Sequence, residues 1–318
     1  MAVLTATVLL STVTVINKPT VYSILPTIVH PENLIRANSF YMGVEYICGV
    51  LGAAFAGFFY IKFDLVNIIL ITVILHAISG IIILFMKLLK SVENDKHLKK
   101  LRFWNNFKKG LIYIGKEKTL LITLIFILVV NFFSNPFYEV LLPKIIRFSL
   151  HLGSNEFGFL KALFPLGSVV GLIICSMLPK RKHIYRTVFY YGLIVMALFQ
   201  LLFGIPIIPF IKNRITGYDI FIFYCSIAFI KMVFDALINV PLYTVFQLRI
   251  PDKYRGRFFS LQNTALMGVR PLSVLLLGFI SIYIASYIIT LILGIILIFL
   301  VIWIILNPAV KDLFDIDL

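Results

Sequence analysis

A pattern of about forty residues that occurs twice in strongly apolar sequence is the tightest limit on what this chain can fold into. Asn17-Lys18-Pro19, Tyr22, Pro31-Glu32 and Gly57-Phe58 recur as Asn239-Val240-Pro241, Tyr243, Pro251-Asp252 and Gly278-Phe279. The Asn-to-Gly distance is 40 residues in the first copy and 39 in the second. Such self-similarity reads as one helical hairpin built twice by duplication. Three apolar spans that start near Thr119 precede the second copy, and none precedes the first. The expectation is a protein of two related halves that lacks three helices at its front.

Lipid is the solvent this chain requires. Hydrophobic residues make up 61% of it, charged residues 14%, and mean hydropathy is +1.02, more apolar surface than a soluble domain can bury. A helix crosses a bilayer with about 20 apolar residues. Nine stretches qualify, near 3–28, 41–61, 65–86, 119–142, 155–178, 187–211, 218–247, 260–283 and 284–306. The last two come from one apolar run, 271–306, which as a single helix would be about 54 Å long. A fold-back near Ala285-Ser286 resolves it. The predicted class is an all-α integral membrane protein of about nine transmembrane helices.

The basic residues behind the net charge of +15 are concentrated in alternate connections. Segments 30–40, 87–118, 179–187, 247–258 and the tail after Asn307 hold 20 Lys and Arg, whereas the opposite connections hold 5. That asymmetry is the positive-inside signature and predicts a cytoplasmic C-terminus in a multi-pass protein of the cell membrane. No basic face with interleaved aromatics lies outside these loops, so nucleic acid is not an expected partner. Cys48, Cys175 and Cys225 lie in apolar spans and read as packing. The five histidines, of which only His76 is intramembrane, lack ligand spacing. Neither a metal nor a cofactor is expected.

Four expected units follow: 1–86, three helices of a first bundle; 87–118, a cytoplasmic linker; 119–306, a six-helix bundle; and 307–318, a tail. In the linker Leu98, Leu101, Trp104, Phe107, Leu111 and Ile114 recur at three- and four-residue steps between lysines, which suits an amphipathic helix on the anionic leaflet.

Ionisable residues are costly in a bilayer and face cavities or partners. Lys231 and Asp235 stand near the middle of the seventh span, one helical turn apart on one face. They read either as a site where Asp235 takes a cation or proton, or as a self-neutralised pair. Arg270 precedes Pro271; it either binds an anion, counters Asp235 or Glu45, or packs against carbonyls at the kink. Glu45 falls four residues inside the second span and is either a proton carboxylate or an interface residue. Glu139 and Lys161 carry the same ambiguity. Asn131 and Asn135-Pro136 interrupt the fourth span, as in broken helices that line cavities. Gly43, Gly49, Gly52 and Gly57 give the second span a face for close helix packing.

Taken in order, four stretches resemble the major facilitator superfamily, and within it the bacterial drug-efflux branch that includes macrolide exporters. They are Pro31-Glu32-Asn33-Leu34 through Ala37-Asn38-Ser39; the glycine-rich Gly49-Val50-Leu51-Gly52-Ala53-Ala54-Phe55-Ala56-Gly57; Leu141-Leu142-Pro143 with Gly158 through Gly171; and Asn239-Val240-Pro241-Leu242 through Pro251-Asp252 and Arg255-Gly256-Arg257. The resemblance implies a twelve-helix, six-plus-six fold, here from its fourth helix onward, with Asp252, Arg255 and Arg257 in a cytoplasmic gating loop. It also implies that the second span packs on Gly167 and Gly171 of the fifth. The antiporter motif of the family carries Pro where Ala53 stands. The family's Gly-Asp-Arg-Gly-Arg loop has no first-half counterpart here, and its second-half copy is reduced to Lys180-Arg181-Lys182.

The function so implied is proton-coupled efflux of small amphipathic, drug-like or cationic compounds, inactive without the helices expected ahead of Met1. A non-transporting membrane remnant or scaffold is the alternative. An intramembrane enzyme is a third reading, and it lacks a nucleophile, acid and metal ligand at one depth.

Overall fold

The computed structural model describes residues 2–62, 65–85, 103–179 and 181–314, and among these there is helix but no strand. The order is α1 (Ala2–Ile28), α2 (Leu34–Lys62), α3 (Leu65–Leu84), α4 (Phe103–Lys116) and α5 (Lys118–Pro136). A π-helical turn (Phe137–Leu141), the short α6 (Leu142–Lys144) and a second π turn (Ile145–Ser149) prolong α5. Next come α7 (Ser154–Met177), α8 (Lys182–Leu202), the short α9 (Pro209–Lys212), α10 (Gly217–Arg249), α11 (Asp252–Tyr283), α12 (Ser286–Leu306) and α13 (Pro308–Lys311). Among the described residues six helical stretches are long and apolar enough to cross a membrane, from Lys118–Ser149 to Ser286–Leu306, and Ile69–Leu84 is a shorter apolar helix.

Local chemistry sets the boundaries. Ala285 in extended conformation separates α11 from α12, where the apolar run is too long for one crossing. Thr216 caps α10 by accepting from the Asp219 backbone N–H at 3.1 Å. Asn307 does the same for α13, toward Ala309 N at 3.0 Å. Asn135-Pro136 does not break the fourth span as the sequence reading had it. Pro136 removes a donor, the ladder shifts to π spacing, and the helix runs on to Ser149. The second helix starts at Leu34 rather than near 41, behind Pro31, so Glu45 lies about 16 Å along it.

Close approach, rather than the hydrophobic effect, holds such helices together. Helix α10 is the hub, packed on α7 and α8, and α12 packs on α8. A Cβ at Gly171 would stand 2.9 Å from Ala236 Cβ and from Val233 Cα, one at Gly192 2.6 Å from Ile238 Cγ1, and one at Gly294 2.7 Å from Leu201 Cγ. Gly167 and Gly171 therefore serve the α7–α10 contact, which corrects the expectation that they receive α2. Helix α2 does pack along α7, with Gly43 opposite Leu172. Gly49 and Gly52 face open space, and Gly57 lies where side-chain surroundings are not described.

The linker does more than rest on a surface. Within α4, Gly110 is buried against Arg257 of α11, and Tyr113 stacks on Tyr254 with ring centroids 4.2 Å apart. Leu98 and Leu101 lie outside the described residues, as do the surroundings of Trp104 and Phe107. The tail also folds back, burying Val310, Leu313 and Phe314. Phe314 meets Phe189 at 5.1 Å, and Arg249 donates to Asp312 O at 2.6 Å.

Candidate functional site

Helix α10 places Lys231 and Asp235 about 21 and 27 Å from its Gly217 end, beside a cavity of about 170 Å³. The cavity is walled by α5 (Phe126, Asn131, Ser134), α8 (Phe189, Met196), α10 (Asp235, Asn239, Tyr243), α11 (Gln262, Leu266) and α12 (Leu297, Val301). Its lining is thus aromatic and aliphatic with a few amides and two ionisable residues, the composition of a small-molecule pocket.

The two charged residues do not pair with each other. Asp235 Oδ2 accepts from Asn239 Nδ2 at 3.0 Å, and Asn239 also donates to Asp235 O. Lys231, 2% exposed, turns to α5 and α8. Its ammonium donates to the Tyr138 hydroxyl, lies 4.4 Å from the Tyr138 ring centroid and reaches Gln200 Oε1 at 3.4 Å. The Asn131 side chain donates to Ile127 O at 2.8 Å.

The other ionisable residues form three separate groups. Arg270 meets Glu139, its Nε 2.6 Å from Oε1, rather than Asp235 or Glu45. Lys161 stands nearby, donating to Tyr138 O at 3.4 Å and sitting 5.4 Å from the Phe164 ring centroid. Glu45 pairs with Lys18 of α1 at 2.9 Å. At the end of the molecule that carries the basic connections, Asp252 pairs with Arg255 at 2.8 Å, and Arg257 lies 5.6 Å from the Tyr254 ring centroid.

Further along α10 toward that basic end lies a buried hydrogen-bonded cluster that the sequence reading did not single out. Asn38 Nδ2 donates to Gln247 Oε1 at 2.6 Å and to Thr244 Oγ1 at 2.9 Å. Gln247 Nε2 in turn donates to Asn38 Oδ1 at 3.2 Å and to Tyr22 O at 3.1 Å. All three side chains are within 1% of full burial. Beside them Tyr22 stacks on Tyr243, centroids 4.4 Å apart and planes 11° apart. These two tyrosines occupy matching positions of the internal repeat, so the copies meet across their own equivalent residues. A second cavity of about 20 Å³, lined by Lys18, Tyr22 and Asn263, shares Tyr243, Gln262 and Leu266 with the first.

The family model of the Major Facilitator Superfamily matches residues 2–273, from α1 into α11. The chain belongs to the major facilitator superfamily. No curated protein and no solved structure matches it. Superfamily members are membrane transporters of small molecules rather than enzymes. With its apolar helices this member is a multi-pass membrane protein. The sequence signal for Lys231 and Asp235 was their spacing. Tyr138 and Gln200 gave none, because their roles arise only when α5 and α8 close on α10.

Proposed function

We propose that this transporter exports small amphipathic cations across the cell membrane in exchange for protons, with Asp235 as the carboxylate that takes either. One observation carries the reading. Asp235 stands on the wall of a cavity lined mainly by apolar and amide side chains, and its carboxylate makes no direct ion pair among the described residues, although Lys231 on the same wall still acts on it electrostatically. An unpaired carboxylate in a bilayer is costly and marks a functional position, and the rings of Phe126, Phe189 and Tyr243 suit an aromatic or quaternary cation.

The surrounding residues take roles within this proposal. Asn131 and Gln262 orient the bound compound. Glu139, Arg270 and Lys161 form the outer mouth, and the Glu45–Lys18 pair holds a second carboxylate for the proton pathway. Residues 1–86 and 119–306 are the two rocking units and 87–118 the linker. By the charge asymmetry the basic end is cytoplasmic, so the end with Asp252, Arg255 and Arg257 faces the cytoplasm. The drug-efflux resemblance favours export.

Contrary to the inactivity expected from the sequence, cells expressing the chain should retain less N-methyl-phenylpyridinium than controls, and an uncoupler should abolish the difference. Asp235→Asn should remove at least about nine-tenths of the export, as loss of the charge-assisted contact implies. Export unchanged in Asp235→Asn would discard this reading.

A further inference from the structure

Tyr138 is a positioning residue in this site: we propose that it holds Lys231 away from Asp235 and so keeps the carboxylate free for a cation. The inference rests on the cation-export reading above and deepens it.

Lysine and aspartate four residues apart on a helix are neighbours and ordinarily attract. In a bilayer the attraction is stronger, because no water competes for either charge. Left to itself α10 would neutralise its own binding group. No direct ion pair forms, because a rival site for the ammonium is built on other helices, although Lys231 still acts on Asp235 through space. The Tyr138 hydroxyl accepts from Lys231, so the ammonium sits at the hydroxyl edge of the ring, 4.4 Å from its centroid, and Gln200 Oε1 stands at 3.4 Å.

That rival site is rigid. Tyr138 belongs to the π turn that follows Pro136, where the change of helical spacing re-aims the side chains. Its carbonyl accepts from Lys161 of α7, and its ring packs edge-on against Phe164, centroids 5.4 Å apart, and against Phe137 at 5.1 Å. Gln200 is fully buried, and its Nε2 has no partner; the amide is turned so that its oxygen serves Lys231 while its own donor goes without. The titratable groups around Asp235 are Lys231 and Tyr243 on its own helix and Tyr46 of α2. Lys231 is the one cation among them.

The test is equilibrium binding of N-methyl-phenylpyridinium to the purified full chain at neutral pH. Tyr138→Leu removes both hydroxyl and ring, so Lys231 should swing to Asp235 and affinity should fall about tenfold. Tyr138→Phe removes the hydroxyl acceptor while keeping the packing on Phe137 and Phe164, so its affinity should fall as well, and it guards against a leucine variant that does not fold. The double variant Tyr138→Leu with Lys231→Gln carries the same packing loss yet should bind as tightly as the unaltered protein, an outcome no structural role for Tyr138 would give. Wild-type affinity in Tyr138→Leu and Tyr138→Phe overturns the proposal, and so does a loss that Lys231→Gln fails to restore. Asp235→Asn separates the two levels: if it binds the probe undiminished, the cation-export reading itself is at fault.

Discussion

A leucine at Gly171 is expected to leave no monodisperse protein. A Cβ there would collide with the Val233 carbonyl oxygen and stand 2.9 Å from Val233 Cα and from Ala236 Cβ. One turn earlier, a Cβ at Gly167 would meet the Phe229 carbonyl and stand 3.0 Å from Met232 Cβ. These obstacles are backbone or the first atom of a side chain, so no rotamer change relieves them. Helix α7 would have to move off α10, which carries Lys231 and Asp235. Overpacking costs typically 1–3 kcal/mol where side chains yield, and here at least ~3 kcal/mol is expected because the backbone does not. Size-exclusion chromatography in mild detergent reads the outcome. Gly49→Leu is the matched control, since a Cβ there meets nothing within 4 Å. A Gly171→Leu protein that elutes and melts like the parent would mean that α7 and α10 do not touch along this face.

Opening of the basic end is the second large effect expected. Asn38 and Gln247 form a reciprocal amide pair, buried and tied to Thr244 and to Tyr22 O. Asn38→Leu leaves the buried Gln247 Oε1 without its donor and removes the donor to Thr244 Oγ1, which keeps only its own bond to Val240 O, at about 1–3 kcal/mol in the closed form. In an open form water satisfies these groups, so the substitution biases the equilibrium toward opening by roughly 5- to 150-fold. The reporter is a cysteine at Leu266, which lines both cavities, with Cys48, Cys175 and Cys225 replaced by serine. A membrane-impermeant maleimide applied from the basic side should label it slowly in the parent and at least about tenfold faster with Asn38→Leu. Equal rates would show that the amide pair does not hold this end shut.

Features that a single stretch of chain determines were legible in the sequence; features that need two stretches were not. The fold-back at Ala285-Ser286 followed from length alone, since no single crossing takes 36 apolar residues. The superfamily was legible because collinear motifs survive as local sequence, and the match over residues 2–273 bears it out. Lys231 and Asp235 were found by their spacing. Their true partners were not, because Tyr138 and Gln200 arrive from positions 93 and 31 residues away in sequence from Lys231. Arg270 shows the same limit: Glu139 meets it across 131 residues, and nothing in the local sequence prefers it to Asp235 or Glu45. A flat glycine face at Gly167 and Gly171 announces close packing without naming the helix that uses it. Pro136 announces a disturbed ladder without saying whether the helix ends or changes spacing.

Carbodiimide labelling distinguishes Asp235 from the other membrane carboxylates as the group shared by proton and cation. A hydrophobic carbodiimide reacts with protonated carboxyl groups inside the membrane, and Asp235, Glu45 and Glu139 are the intramembrane carboxylates at issue. Mass spectrometry of the purified, labelled chain would locate the adduct with and without N-methyl-phenylpyridinium. The account predicts an adduct on Asp235 that the cation suppresses by at least about tenfold, because proton and cation compete for one carboxylate. An Asp235 adduct that saturating cation leaves unchanged, or protection found only at Glu45 or Glu139, would contradict it.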